Sequence, residues 1–355
     1  RAFMMTGIVL VGLMLDHDAI SLRLVAFAAC VVLAVDPAAL FGASFQMSFA
    51  AVVGLVAVYE RWRMRRTRRG DPPPRLILAY FAGVALTTII ATLATAPFVA
   101  FHFGRVATYG NIANLVAVPL MALWIMPLGL LSLMLMPFGL DGPFLRLMGW
   151  GLDLVLWSAD QASSWPGAAV TMPPPPGLAI LLLALAGIWA ALWFGRLPRL
   201  ALVPALAGLV VWGLARPPDL VVDRRAQMAA FRLGPGVYAL AVDDRDGFVL
   251  SGWERVLGIE GFVAPEGPVA CDRRGCRFAL DGREVAVALR PNALLADCAA
   301  DLVLNLASDQ RCAATPTITR GQLWRQGALA LRAGEPASFT FVYASEHRRP
   351  WQRQR

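Results

Sequence analysis

The feature that most constrains this chain is its succession of apolar runs. Within the first 215 of its 355 residues, stretch after stretch carries roughly 18 residues or more with few charges, the length a bilayer core of about 30 Å demands. A soluble domain would have to bury each such run on all sides. A mean hydropathy of +0.59 and a charged fraction of only 16% agree with a membrane class. The spacing predicts spans over about 2–15, 21–35, 44–59, 76–103, 112–137, 147–165, 177–195 and 199–215. The fold class expected is therefore a polytopic α-helical membrane protein with about eight hydrophobic segments over 1–215. A small β-rich soluble domain over 216–355 follows it. The chain opens on Arg1 already inside an apolar run, without a readable signal peptide, and we expect a fragment of a longer polypeptide.

Charge placement orients the spans. Every one of the 32 basic residues is arginine. Seven of them, Arg61, Arg63, Arg65, Arg66, Arg68, Arg69 and Arg75, fall between the third and fourth spans, where a cytoplasmic loop is expected from the excess of positive charge on inner loops. Alternation from there places Asp36–Ala43 and Arg105 outside and the Arg196/Arg199 pair inside, so residues 216–355 are expected on the non-cytoplasmic side. The segment 112–137, interrupted by Pro119, Pro127 and Pro137, is expected to be broken and either spans or re-enters. In 147–165, Asp153, Trp157, Asp160 and Ser164 share one helical face, so that helix lines water or lies flat at the interface.

The polar residues inside apolar runs are the candidate site. In Ser44-Phe45-Gln46-Met47-Ser48-Phe49 an amide stands among aromatics, and an unsatisfied amide in hydrocarbon is costly. Gln46, Ala50, Gly54 and Ala57 make a small-residue stripe along which another helix can approach closely. The simplest reading gives Gln46 an interhelical hydrogen bond, and the sharper one a contact with a transported substrate. Thr88, Thr92 and Thr95 lie within about 60° on a helical wheel, either lining a channel or bonding to their own i−4 carbonyls. Asp16-His17-Asp18 is a weak metal signal and reads as a solvated loop. His102 and His347 stand isolated, and no serine triad, phosphate-cradling glycine loop or zinc-protease motif appears in the sequence.

From Pro217 onward the pattern alternates. Val237–Val242 and Ser338–Tyr343 read as strands, and Arg277–Leu280, Asp281-Gly282 and Arg283–Val287 read as a hairpin with a tight turn. Cys30 lies in an apolar run and is expected to be a small buried residue. Cys271, Cys276, Cys298 and Cys312 all fall in the C-terminal part. In an oxidising compartment, 271–276 and 298–312 are the favoured disulfides, although spacing alone leaves the other two pairings and zinc open.

Two stretches carry a resemblance. VDPAALFGASFQMSFAAVVGL resembles the signature of the ComEC family of competence proteins, inner-membrane channels for DNA uptake, with Asp36, Pro37, Phe45, Gln46, Met47, Ser48 and Phe49 at the matching positions and Met47 in place of the usual leucine. RVATYGNIANLVAVPLMALWIMPLGLL is similar to a second family stretch through Tyr109, Gly110, Asn111, Asn114, Pro119 and Pro127. The resemblance covers roughly 1–215. It implies a conduit for single-stranded DNA into the cytoplasm, with Asp36, Gln46, Ser48, Thr88, Thr92, Thr95, Asn111 and Asn114 lining it or packing its helices. Arg65, Arg66, Arg68 and Arg69 are the expected phosphate contacts, and DNA, membrane lipid and other competence proteins the expected partners. Many members carry a metallo-β-lactamase-like domain with a His-x-His-x-Asp-His zinc motif. Here AAFRLGPGVYALAVDDRDGFVLSG looks like its opening strands, yet only His347 follows the last span, so no enzyme activity, metal or cofactor is expected. The rival readings are a secondary transporter for a small anionic or lipid-linked substrate, which the proline-interrupted helices suit, and a structural membrane protein whose outer domain recruits partners.

Overall fold

The structure is a computed structural model, which describes residues 21–69, 76–234, 236–242, 247–264, 269–280, 282–334 and 338–343. The predicted first span and Asp16-His17-Asp18 lie outside the described residues, as do Arg75 and His347. The chain divides into two compact units, one of 1–170 with 174–215 and one of 171–173 with 216–355.

The first unit is helical. Helix α1 is Leu22–Val35, whose Ser21 hydroxyl accepts from the Leu24 amide at 3.4 Å as an N-cap. Its Ala28 and Val32 pack with Ala39, Phe45 and Phe49. After a 3-10 turn over Pro37–Phe41 come α2, Ala43–Arg69, and α3, Leu76–Phe103. Helix α2 continues through the arginines that the sequence places in a loop: arginine is a good helix former and suits a helix C-terminus, so the hydropathy boundary at about 59 is not the helix boundary. The Gln46–Ala57 stripe has a structural consequence at Gly54, where an added Cβ would stand 3.0 Å from the Ala94 Cβ on α3.

A short strand β1, Arg105–Ala107, leads into α4, Gly110–Leu120. A π-helical turn over Met121–Ile125, α5, Met126–Leu135, and a 3-10 turn over Met136–Phe138 follow without a gap. The prolines therefore do not break 112–137, contrary to the expectation. The amide of Met126 bonds to the carbonyl of Met121, five residues back, and this wider turn accommodates Pro127, which lacks an amide and would crowd the carbonyl four residues earlier. Helix α6, Gly142–Ser163, buries Gly151, Ser158 and Ala162 and exposes Asp153, Trp157, Asp160 and Ser164. Strand β2, Ala169–Thr171, α7, Gly177–Leu192, and α8, Leu202–Gly213, complete this part of the chain. Among the described residues three helices are long and apolar enough to cross a membrane, Ala43–Met64, Tyr80–Phe103 and Gly110–Phe138. Leu22–Val35, Gly177–Leu192 and Leu197–Gly213 are shorter apolar helices. Cys30 is exposed rather than buried, since an apolar helix of this kind also carries an outward face.

The second unit is a sandwich. Strands β3 (Leu220–Val222), β4 (Met228–Gly234), β5 (Val237–Val242), β11 (Leu329–Gly334) and β12 (Ser338–Tyr343) form an antiparallel sheet in the order β12-β11-β3-β4-β5. Strands β6 (Ala270–Cys271), β7 (Gly275–Leu280), β8 (Arg283–Ala288), β9 (Leu302–Asn305) and β10 (Thr317–Thr319) form a mixed sheet in the order β10-β9-β8-β7-β6. Alternation decides which side chains meet. Leu220, Val222, Phe231, Val285, Val287, Leu302 and Leu304 point into one shared core, where Phe231 stacks on Phe278 with ring centroids 3.9 Å apart. The residues between them face outward and are covered too. Val221, Ala230 and Tyr238 pack with Leu257 of α9, Gly247–Leu257. Ala286 and Val303 pack with Leu294 of α10, Leu294–Asp297. Strands buried on both faces read as continuous apolar runs such as LVV and LVLN, which is the pattern here.

The sulfurs of Cys271 and Cys276, directly opposed on β6 and β7, lie at bonding distance, as do those of Cys298 and Cys312. Closing a loop of this kind is worth about 3 kcal/mol in the chain-entropy model. Replacing Cys298 and Cys312 together by serine is expected to lower the stability of this unit by about that amount, read as an earlier midpoint in chemical denaturation.

Buried polar groups order the first sheet. Tyr238, 0% exposed, donates its hydroxyl to the Pro218 carbonyl at 2.7 Å, and Arg232 pairs with Asp219 at 2.7 Å. Burial, and then the Asp219 charge, push the Tyr238 hydroxyl up from 10.0 to about 12, with Arg232 pulling the other way. The folded state thus holds this proton more tightly than the unfolded chain does, so stability is full below pH 10 and falls as pH rises toward 12. Tyr238→Phe is expected to flatten that alkaline loss, while at neutral pH it costs about 0.5–1.5 kcal/mol through the lost hydrogen bond. Denaturation midpoints taken across this pH range read both effects.

Candidate functional site

The polar residues read from the sequence gather along α2, α3 and α4. Gln46 sits in the first turn of α2. Its Nε2 donates to the Leu40 carbonyl at 2.9 Å, and its Oε1 meets His102 Nε2, near the C-terminus of α3, at 2.8 Å. The amide is thus held at both ends: it ties α2 to the turn before it and to the neighbouring helix. His102, isolated in the sequence, is the partner. Since the Gln46 oxygen can only accept, His102 carries its proton on Nε2 in this bond.

About three turns back along α3 from His102, the Thr92 hydroxyl donates to Asn111 Oδ1 on α4 at 2.7 Å. Residues of the two sequence motifs are therefore both anchored on α3. The other threonines behave differently. Thr95 bonds to the Ala91 carbonyl at 2.8 Å and Thr87 to the Gly83 carbonyl at 2.9 Å, within their own helix. Thr88 is buried. The hydroxyl face is accordingly divided between helix linkage at Thr92, local satisfaction at Thr87 and Thr95, and packing at Thr88. Ser48 and Asn114 are exposed, and Asp36 caps the end of α1 through its amide, which donates to the Val32 carbonyl at 2.9 Å.

The loop joining α3 and α4 is fastened as well. The Thr108 amide donates to the Ala168 carbonyl at 3.0 Å, and the Tyr109 hydroxyl to the Pro166 carbonyl at 3.2 Å. The Tyr109 ring meets Trp165 edge to face, with centroids 5.1 Å apart. Tyr109 and Gly110 of the second motif therefore sit in a fixed turn rather than a loose connection.

At the opposite end of α2, Glu60 Oε1 accepts from the Leu22 amide at 3.4 Å. The Arg61 guanidinium donates to the carbonyls of Ala190, Ala191 and Trp193, and lies 5.5 Å from the centre of the Phe194 ring. These carbonyls close α7, whose C-terminus carries partial negative charge, so a fixed cation there is favourable. Arg65, Arg66, Arg68 and Arg69 belong to the last turns of the same helix.

Sequence reasoning missed His102, Arg61 and Glu60. A signal for the first was available: consecutive antiparallel spans put the start of one beside the end of the next, which brings position 46 to position 102. Among the described residues no group of three His, Cys, Asp or Glu side chains is placed to hold a metal ion. What the helical site can do chemically is hydrogen-bond and pack. In the second unit, Arg277 bonds Asp297 at 2.9 Å, and both line a cleft of about 380 Å³ with Asp272 and Arg274. The amides of Arg274 and Gly275 hold the exposed Asp272 carboxyl below the usual range.

No curated protein and no solved structure matches the chain. The family described as competence protein matches residues 1–197, which include α1 to α7, both sequence motifs and the Gln46–His102 and Thr92–Asn111 pairs. That span is more than half of the chain, and with its three membrane-length helices the protein is a membrane protein that belongs to the competence protein family.

Proposed function

We propose that this chain forms part of the conduit through which single-stranded DNA enters the cytoplasm during natural transformation. The observation that carries the reading is the family match over 1–197, within which the polar residues of both motifs are fixed onto one helix, α3. An amide and a hydroxyl anchored by partners hold a polar path in one shape without chemistry of their own. DNA, lipid and other proteins of the uptake machinery are the partners this reading implies.

The arginines at the end of α2 support an orientation with that end in the cytoplasm, which puts residues 216–355 outside an inner membrane. The layering of the second unit, two sheets with α9 and α10 on their outer faces, supports a metallo-β-lactamase-like origin. The sequence lacks the zinc motif, so we read this unit as a non-catalytic domain.

The deciding experiment is uptake of labelled DNA in a naturally transformable host with and without the gene. Loss of cytoplasmic label with retained surface capture is expected, and unchanged cytoplasmic label would overturn the proposal. Alkaline phosphatase and a cytoplasm-only fluorescent reporter fused after Arg355 read the orientation. Phosphatase activity without fluorescence is expected, and the reverse would sink it.

A further inference from the structure

We propose that exposed Trp324 and the arginines around it form a binding site for single-stranded nucleic acid, the indole stacking on a base and the guanidiniums meeting phosphates. Trp324 is 62% exposed on the short helix α11, Arg320–Gln326. The element that presents it is rigid: the Thr319 hydroxyl accepts from the Gln322 amide at 3.4 Å, and Leu323, fully buried, roots the helix in the core. The indole is thus a fixed plane facing solvent.

Arginines flank it on both segments, α11 and the turn after β3. The Arg224 guanidinium lies over the ring, 5.5 Å from its centre, with its Nε donating to the Trp324 carbonyl at 3.4 Å. Arg225 is exposed beside it in the turn after β3, and Arg320 and Arg325 are exposed on α11 itself. Among the described residues, the acidic groups of these two segments accept from backbone amides. Asp223 is buried and accepts from the amides of Arg225, Gln227 and Met228, while Asp309 accepts from the Gly321 amide. A cation over one face of the indole leaves the other face for an aromatic guest, and every base offers a π-face irrespective of sequence. A bilayer contact would need an apolar patch. Among the described residues, the other exposed large hydrophobics of this unit, Val237, Phe248, Val256 and Val263, lie on neither α11 nor the 223–228 turn. The inference rests on the proposed function only for which polyanion the protein meets.

The test uses the full chain in nanodiscs of neutral lipid, with a fluorescein-labelled oligothymidylate read by anisotropy. Trp324→Ala is expected to weaken binding about tenfold, in the range for loss of one stacked base, and Trp324→Phe to restore most of it. Replacing Arg320 and Arg325 by glutamine is expected to flatten the slope of log affinity against log salt by about 1.4, two contacts at about 0.7 each. Wild-type affinity in Trp324→Ala together with an unchanged slope in the arginine variant overturns the site. So does a defect confined to capture by phosphatidylglycerol vesicles, which makes the surface a membrane contact. Thermal unfolding matched to wild type guards against a folding defect, and the arginine variant, which leaves the indole in place, decides the matter if Trp324→Ala unfolds. Because transport is not read, the site can stand even where deleting the gene leaves DNA uptake intact.

Discussion

With Gln46 replaced by leucine, the protein is expected to accumulate normally and DNA capture at the cell surface to be unchanged, while on the proposed function entry of labelled DNA into the cytoplasm falls about tenfold or more. Leucine keeps the side chain's bulk and suits an apolar run, so insertion survives. What disappears are the two bonds that hold the start of α2, one to the Leu40 carbonyl and one to His102. At about 0.5–1.5 kcal/mol net each, their loss is too small to unfold a helical unit. It is large enough to shift the arrangement of this helix end, since about 1.4 kcal/mol is a factor of ten. His102→Leu removes the same interhelical bond from the other side and is expected to reproduce the part of the defect due to it, with the double variant no worse than Gln46→Leu alone. Protein level and cytoplasmic label measured together check this. Normal uptake in both single variants would remove Gln46 from the proposed path.

Phe231→Ala acts on the second unit and on stability. Phe231 is fully buried and stacks on Phe278 from the facing sheet, so truncation empties the middle of the shared core. Such a change typically costs about 3–5 kcal/mol, a large part of the about 5–15 kcal/mol that holds a domain folded. In urea this amounts to a midpoint lower by about 1–3 M at ordinary slopes. Phe231→Leu, which keeps most of the volume, is expected to lose far less. Equal midpoints for Phe231→Ala and wild type would mean that the two sheets do not share this core.

What the sequence made legible was local. Residues 277–287 read as a hairpin because Asp281-Gly282 marks the turn, and Gly282 takes the left-handed φ of +80° that such a turn asks for. Helix α3 is legible at 76–103, where its bounds lie, because the run is apolar nearly throughout and of membrane-spanning length. Two errors had physical causes of their own. Hydropathy ends where charge begins, but helical hydrogen bonding does not, so α2 runs to Arg69. Proline inside a helix signals a missing amide and a steric clash, and a π-turn relieved both at Pro127. Pairing between distant elements was out of reach. Nothing in the strings around 221 and 330 says that Val221 lies opposite Ala330. Within the site, residue types were visible and partners were not: Gln46 announced a buried need, while His102 and the Leu40 carbonyl emerged only from the packing of antiparallel helices.

The continuation of α2 to its last arginine also sets a linear charge density. Arg61, Arg63, Arg65, Arg66, Arg68 and Arg69 ride on one unbroken helix, within eight residue steps of about 1.5 Å each, hence about 12 Å of axis. That is roughly one positive charge per 2 Å, close to the one negative charge per about 1.7 Å of duplex DNA. A flexible loop would spread and reorient the same charges. A helix instead fixes their axial spacing, so a polyanion laid along that axis would meet positive charge at close to its own pitch.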